Sequence, residues 1–285
     1  MIPFPLPPVM TEPFIREALR EDLGEAGDLT TLATIPVGRL AEARLNARQP
    51  GRVAGAEMAR RVFAAVDPAL MVETQAEDGA GVAAGDPVMT VRGSARSLLT
   101  AERVALNLLG HLSGVATATA ALVDAVSGTS ARIVCTRKTL PGLRAMQKHA
   151  VLCGGGRNHR FGLHDAAMIK DNHVVAAGGI APALAAARAA LGHTVKIEVE
   201  VDRLDQLEKA LAGGADIVLL DNMDAETLRA AVARTAGRAV LEASGNITAD
   251  TVRMVAETGV DVISSGWITH SAPNLDIGLD LELTG

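Results

Sequence analysis

The sequence predicts an α/β fold in two parts: a β-rich N-terminal unit with helices, followed by a parallel β/α barrel. Three observations lead there. Residues 71–95 read as short strands punctuated by Gly and Pro. After about residue 126, β-branched apolar runs alternate with amphipathic helical segments, the cadence of parallel βαβ units. The last four of these runs start at 195, 216, 239 and 261. That even spacing suits a barrel better than an open two-faced sheet, although spacing alone does not separate the two. The chain has 285 residues, enough for one large domain or two smaller ones. Its composition is 48% apolar but only 2% aromatic, so the core must be built from Val, Leu, Ile and Ala.

The first ten residues form a Pro-rich lead. Thr11 is expected to cap a helix through about Leu23, with Pro13 in its first turn, and Gly24, Gly27 and Asp28 then break it. Residues 40–54 alternate like strands around a turn, and 56–66 are helical by periodicity, stopping at Asp67-Pro68. A long helix is expected over 96–126. It contains Gly110 and Gly114, which in a helix mark close packing against a neighbour. Strands are expected at 131–135, 167–169, 195–199, 216–220, 239–241 and 261–264. Helices are expected at 182–191, 204–212, 225–235 and 249–258.

Composition excludes several classes of function. Two cysteines, Cys135 and Cys153, have no metal-like spacing and suit a reducing cytoplasm, where both act as small buried apolar residues. The N-terminal stretch has no basic region ahead of an apolar run, as a signal peptide requires. The apolar helical candidate at 181–191 is too short and Ala-rich to span a membrane. A soluble, cytoplasmic protein without a membrane partner is therefore expected. Few rings and a net charge of -6 argue against a nucleic-acid partner.

Residues 136–173 depart from this acidic background. They hold seven Lys/Arg against two acids, and four of the chain's seven histidines. A basic island in an acidic protein attracts an anion. In a β/α barrel, reactive groups sit at the C-terminal ends of the strands. By that rule the first strand delivers Arg137 and Lys138, the second Lys170, Asp171 and Asn172, and the third Glu200. The fourth delivers Asp221 and Asn222, the fifth Glu242, Ser244 and Gly245, and the sixth Ser265, Gly266 and, slightly later, His270. Polar residues after one strand are ordinary, but six strands in succession are not. The opposite loops, 128–131, 192–194 and 213–215, are small and bland. The turns Ser244-Gly245-Asn246 and Ser264-Ser265-Gly266 fit a phosphate held by backbone N–H groups. Asn158-His159-Arg160 lies on the excursion between the first two strands. Arginine forks suit carboxylates, whereas lysine is a point charge for phosphate. Gly154-Gly155-Gly156 lacks the Lys-Ser/Thr of a P-loop and reads as a turn. The site is thus expected to take carboxylates and phosphates, with a metal between them as one use of Glu200 and Asp221.

The segments TRKTLPGLR, GGGRNHRFGL, IKDNH, EVEV, LLDNM, SGNIT and GVDVISSGWITHS, in this order, resemble the quinolinate phosphoribosyltransferase family. So do EDLG…GDLTT near 21–31 and AERVALNLLGHLSGVAT at 101–117. The resemblance covers nearly the whole chain. It implies an N-terminal α/β open sandwich over residues 1–112, rejoined by 273–285, and a C-terminal incomplete (β/α) barrel over 113–272. It also implies a homodimer or hexamer in which Arg103 reaches the neighbouring active site. The implied reaction joins quinolinate to phosphoribosyl pyrophosphate (PRPP) with Mg²⁺, giving nicotinate mononucleotide, pyrophosphate and CO₂ in NAD biosynthesis. By motif, Arg103, Arg137, His159 and Arg160 would hold quinolinate. Lys138, Lys170, Glu200, Asp221, Ser244, Gly245, Asn246, Ser265, Gly266 and His270 would hold PRPP. Lys138, Glu200 and Asp221 would carry catalysis, with Glu200 and Asp221 toward the metal. The chain departs from the family pattern at Asn246, where SGGI is usual, and at Leu140 and His149, in place of Thr and Tyr.

Two rival functions fit the same residues. One is a Schiff-base aldolase using Lys170 on the same barrel. The other is a non-catalytic binder of phosphorylated metabolites.

Overall fold

The structure is a computed structural model that describes residues 6–284, so half of the Pro-rich lead lies outside the described residues. In chain order the elements are α1 (Pro8–Leu23), α2 (Leu29–Thr34), β1 (Leu40–Ala47), β2 (Gly51–Arg52), α3 (Ala56–Val66), β3 (Met71–Thr74), β4 (Gly81–Val82), β5 (Pro87–Ser94) and α4 (Ala95–Ala125). There follow β6 (Arg132–Val134), α5 (Arg144–Cys153), β7 (Ala167–Ile169), α6 (Asp171–Ala177), α7 (Ile180–Ala190), β8 (Ile197–Val201), α8 (Leu204–Ala212) and β9 (Ile217–Asp221). The chain closes with α9 (Ala225–Thr235), β10 (Val240–Ser244), α10 (Val252–Ala256), β11 (Val262–Ser264), α11 (Trp267–His270) and β12 (Ile277–Leu283). It divides into two compact units. The first comprises Met1–Ala120, Leu140–Gly155 and Thr269–Gly285, and the second Ala121–Thr139 and Gly156–Ile268.

The first unit is built on an antiparallel sheet of order β12-β1-β5-β3. Alternation along β1 buries Ala41, Ala43, Leu45 and Ala47 on one face, the period-two pattern of a half-buried strand. The C-terminal β12 pairs with β1 from Ala41↔Leu283 to Ala47↔Ile277. The two glycines of α4 explain how the returning chain reaches this sheet. A Cβ on Gly114 would lie 2.1 Å from the carbonyl oxygen of Pro273, and one on Gly110 would lie 3.0 Å from that of Leu275. The Leu275 N–H donates to the Gly110 carbonyl at 2.9 Å. The neighbour these glycines admit is therefore the C-terminal segment of the same chain.

The second unit is a six-stranded parallel sheet of order β6-β11-β10-β9-β8-β7. Strands β7 to β11 lie side by side in sequence order and β6 pairs with β11. The two free edges, β6 and β7, are thus consecutive in the chain: a β/α barrel that stops short of closing. The open edge of β6 is met by residue 157. Val134 and Arg157 form a parallel bridge, with Arg157 N donating to Ile133 O at 2.8 Å and Cys135 N to Arg157 O at 3.2 Å.

Several sequence expectations change. Helix α1 starts at Pro8, not at Thr11. The Thr11 hydroxyl is buried inside the helix, donating to Pro8 O at 3.3 Å and accepting from Arg61 Nη1 at 2.5 Å. Helix α2 was not anticipated: Asp28, expected only to break α1, caps it by accepting from Thr31 N at 3.0 Å. Strands β8, β9 and β10 run further than expected, so Glu200, Asp221 and Ser244 are the last residues or near-last residues of strands rather than loop residues. Helix α5 folds with the first unit, although the sequence boundaries placed all of 113–272 in the second part; that unit also keeps α4 to residue 120 rather than 112. The longest apolar helix is α4, not 181–191. It has the length and composition of a membrane span, but 72% of its most apolar window is buried inside the protein.

Candidate active site

The second unit gathers most of the expected residues at the C-terminal ends of its strands. After β6, Thr136 Oγ1 accepts from Lys138 N at 3.0 Å, which turns the chain so that Lys138 runs alongside the loop after β11. A Cβ on Gly266 would meet Lys138 Cδ at 2.9 Å and Thr136 Oγ1 at 3.2 Å, so the lysine side chain packs directly over this glycine. The loop is tied back by Ser265 N donating to Val134 O at 3.0 Å. The Ser265 hydroxyl is buried without a hydrogen-bond partner, and the Ser264 hydroxyl is buried beside the Glu242 carboxyl.

Across the sheet, Glu200 on β8 and Asp221 on β9 come from neighbouring parallel strands. Lys170, directly after β7, makes an ion pair with Glu200 through its Nζ. Lys170 also receives a local cap: its backbone N–H donates to His173 Nδ1 at 3.0 Å, opening α6. Asp221 accepts from Asn222 Nδ2 at 2.8 Å. The turns after β9 and β10 interlock, with Asn222 N donating to Ser244 O at 2.9 Å and Asn246 Nδ2 to Asn222 Oδ1 at 3.3 Å. Gly245 has φ +102°, and a Cβ there would stand 2.1 Å from Asn222 Oδ1. Asn222 and Asn246 adopt left-handed φ values of 52° and 49°. Asn is the side-chain-bearing residue that best tolerates that region, which gives the SGN departure a physical basis.

The Asn158-His159-Arg160 segment is not a free excursion. It continues from the bridge on the β6 edge, and Arg160 reaches to the β7 side. Its Nη1 donates to Ala166 O at 3.1 Å and its Nη2 to Met168 Sδ at 3.5 Å. Asn158 Oδ1 accepts from Cys135 Sγ at 3.3 Å, and Asp165 shapes the following loop by accepting from Phe161 N and Gly162 N at 2.6 and 2.8 Å. Burial and then the nearby charge of Arg137 hold the Arg160 guanidinium below its ordinary range. The Arg137 Nε is itself buried without a partner. Two guanidiniums pressing on each other, one with an unused buried N–H, are unstable neighbours unless an anion joins them.

His159 turns its ring toward two acids of the sheet. Its Nε2 lies 3.0 Å from Glu198 Oε2 and 3.4 Å from Glu242 Oε2, both buried carboxylates. Burial, then the charge of Glu198, pushes the Glu242 carboxyl up to about 7, against a smaller opposing effect of His159. Sequence reasoning passed over Glu198 and took Glu242 only as strand-end polarity. The alternation Glu198-Val199-Glu200 was the available signal, since it puts both acids on one face of β8. Glu198 therefore lies one layer beneath Glu200, and Glu242 one layer beneath Ser244 on β10.

The remaining expected residues belong to the first unit. Arg103 lies on α4 with its side chain 65% exposed, 3.9 Å from Glu102. His270 closes α11, with Nδ1 2.5 Å from Ser271 Oγ. Of the other two departures, Leu140 is exposed and its N–H donates to Gln147 Oε1 at 2.9 Å. His149 is buried with Nε2 2.7 Å from Asp78 Oδ2. Cys153 nearby has its thiol pushed far up, by burial first and by Asp78 second, which makes it inert. The Schiff-base rival loses support, because Lys170 is partly exposed and paired with an acid rather than desolvated and apart from one.

A parallel β/α barrel with two guanidiniums at its seam and glycine turns after the neighbouring strands β10 and β11 suits an enzyme that works on polyanionic small molecules. A family model described as "Quinolinate phosphoribosyl transferase, C-terminal domain" matches residues 115–280, and its N-terminal counterpart matches residues 28–113. The chain is 49% identical over 272 residues to the nicotinate-nucleotide pyrophosphorylase [carboxylating] of Mycobacterium leprae, covering 94% of this chain and 95% of that one. It superposes on NadC from Streptococcus pyogenes with a TM-score of 0.95 at 42% identity, covering 99% and 100% of the two chains. The nicotinate-nucleotide pyrophosphorylase of Francisella tularensis gives 0.93 at 39% identity, covering 98% of each. The chain belongs to the quinolinate phosphoribosyl transferase family.

Proposed function

We propose that the protein transfers the phosphoribosyl group of PRPP to the ring nitrogen of quinolinate with loss of one carboxyl group. The products are nicotinate mononucleotide, pyrophosphate and CO₂, a step in NAD biosynthesis carried out in the cytoplasm. Relatives bear the name quinolinate phosphoribosyltransferase [decarboxylating] for this direction and nicotinate-nucleotide pyrophosphorylase [carboxylating] for its reverse.

The observation that carries this reading is the Arg137–Arg160 pair. Two guanidiniums with an unused buried N–H suit a ligand bearing two adjacent carboxylates. Arg103 of a second subunit completes the dicarboxylate clamp in a homodimer. Lys138 and Lys170 hold the pyrophosphate, and the turns at Ser244–Asn246 and Ser265–Gly266 hold the 5′-phosphate. Glu200 and Asp221 face the ribose and stabilise the positive charge that develops there as the C1′–O bond to pyrophosphate breaks. The ring nitrogen then bonds to C1′. The resulting pyridinium accepts the electron pair left when the adjacent carboxylate departs as CO₂, and a proton replaces it on that carbon.

Mg²⁺ fits the same mouth. Glu200 and Asp221 offer hard oxygen donors from adjacent strands, few enough to leave the remaining positions to water and substrate phosphates. When bound, Mg²⁺ offsets charge on the departing pyrophosphate.

The deciding experiment supplies carboxyl-labelled quinolinate, PRPP and Mg²⁺ to folded protein. Labelled CO₂ released in step with nicotinate mononucleotide is expected. PRPP binding without CO₂ release would favour the non-catalytic binder instead.

A further inference from the structure

We propose that Glu198 and Glu242 are positioning residues for the dicarboxylate site. They hold the Nε2–H of His159 from beneath the barrel mouth and, through His159, set the backbone that aims Arg160. This rests on the function proposed above for what the site binds, but not for the geometry itself.

The tautomer of His159 comes first. Its Nδ1 accepts a hydrogen bond from the backbone N–H of Arg160 at 2.8 Å. An accepting Nδ1 carries no proton, so the ring proton is on Nε2. That nitrogen faces Glu198 Oε2 at 3.0 Å and Glu242 Oε2 at 3.4 Å, both of them acceptors. The ring thus bridges two elements. One nitrogen fastens the residue-160 amide, and the other is held by carboxylates on β8 and β10. Neither nitrogen is left to bind substrate as a donor.

A metal is the competing occupant. The ligand atoms of His159, Glu198 and Glu242 all lie within 4.8 Å of one another, a spacing that a cation could use. A cation on Nε2 would move the ring proton to Nδ1, where it would face the Arg160 N–H. The observed hydrogen bond excludes that arrangement, so the cluster is built around a proton.

The consequence for Arg160 follows from where the seam lies. Arg160 spans from the segment bridged to β6 across to Ala166 and Met168 beside β7. Strands β6 and β7 are the two edges of the sheet and do not pair with each other, so the direction of this guanidinium depends on its own backbone. The His159 side chain is the anchor that ties this backbone to the interior. It does so at the level of Glu198 and Glu242, below Glu200 and Ser244. Charge matters as well: Glu198 attracts the Arg160 guanidinium. A second full negative charge at Glu242 would draw it further from an incoming anion.

The test compares Glu198→Ala and Glu242→Ala with Glu198→Gln and Glu242→Gln. The glutamines keep the volume and an accepting oxygen. Each alanine variant is expected to raise KM for quinolinate by about tenfold to a hundredfold, the size of effect produced by misplacing a clamp by about an ångström. KM for PRPP should stay within about twofold, and each glutamine should restore most of the loss. A rise in both KM values together, or glutamines as poor as the alanines, would overturn the proposal. The ¹⁵N spectrum of the His159 ring in the wild-type protein tests the geometry without turnover. A protonated Nε2 and unprotonated Nδ1 are expected. A proton on Nδ1, or Mn²⁺ or Zn²⁺ binding that the glutamine variants abolish, would refute it even if the protein proved inactive on quinolinate.

Discussion

At the scale of single residues, the site depends on backbone conformations that few side chains allow. Gly245 combines a left-handed φ with a 2.1 Å approach to Asn222, so it is required on two counts, whereas Asn246 needs only tolerance of the left-handed region. The position of Arg137, Lys138 and Lys170 was legible because each lies within a few residues of the end of a short apolar strand, where charge is easily solvated. Glu198 was not legible in the same way. An acid inside a buried strand contradicts the usual rule, and what permits it is an imidazole from a distant loop. Glu242 leads to a measurable effect. Its carboxyl is raised from 4.5 to about 7 in the folded state, so the fold holds a proton that the unfolded chain releases. The contribution of this carboxyl to stability is therefore fully present below about pH 4.5 and is lost as pH rises through about 7. Urea unfolding at pH 5 and pH 8 should show the wild type losing about 2–3 kcal/mol more than Glu242→Gln, since each tenfold difference in proton affinity between the folded and unfolded states is worth about 1.4 kcal/mol. Parallel profiles would contradict this.

At the scale of elements, boundaries were legible where local chemistry sets them. Helix α3 ends at Val66 because Asp67-Pro68 cannot continue it, and α9 starts after Asp224, whose carboxylate accepts from Thr227 N at 2.8 Å. Helix α5 was missed because its face is set by tertiary partners rather than by apolar periodicity. Gln147, Lys148 and His149 are all buried in it. The Gln147 amide contacts Leu140 N, His111 Nε2 and Thr269 O at 2.9, 2.9 and 2.6 Å, joining the loop after residue 139 to two other helices. The glycines of α4 allow a direct test. Gly114→Ala places a methyl group against Pro273, and overpacking of this kind costs about 1–3 kcal/mol. The variant should melt at a lower temperature, and exchange of the β12 amides should accelerate. Unchanged β12 protection would show that the return segment does not depend on this contact.

At the scale of the whole molecule, the assembly can be measured. If Arg103 serves the neighbouring subunit, Arg103→Ala and Lys138→Ala variants are each nearly inactive, and mixing them restores about a quarter of wild-type activity, because random exchange gives half mixed dimers with one intact mouth each. No recovery after confirmed subunit exchange would exclude action in trans. The sequence by itself determined the kind of fold and the strand ends that carry charge. Period-two and helical patterning, and the rule that strand interiors stay apolar, are local consequences of side-chain chemistry. Only the tertiary structure decided that the barrel stays open between β6 and β7, that residue 157 meets that edge, and that His159 is spent on Glu198 and Glu242. Each of these joins residues far apart in the chain, where no spacing in the sequence records which groups will meet.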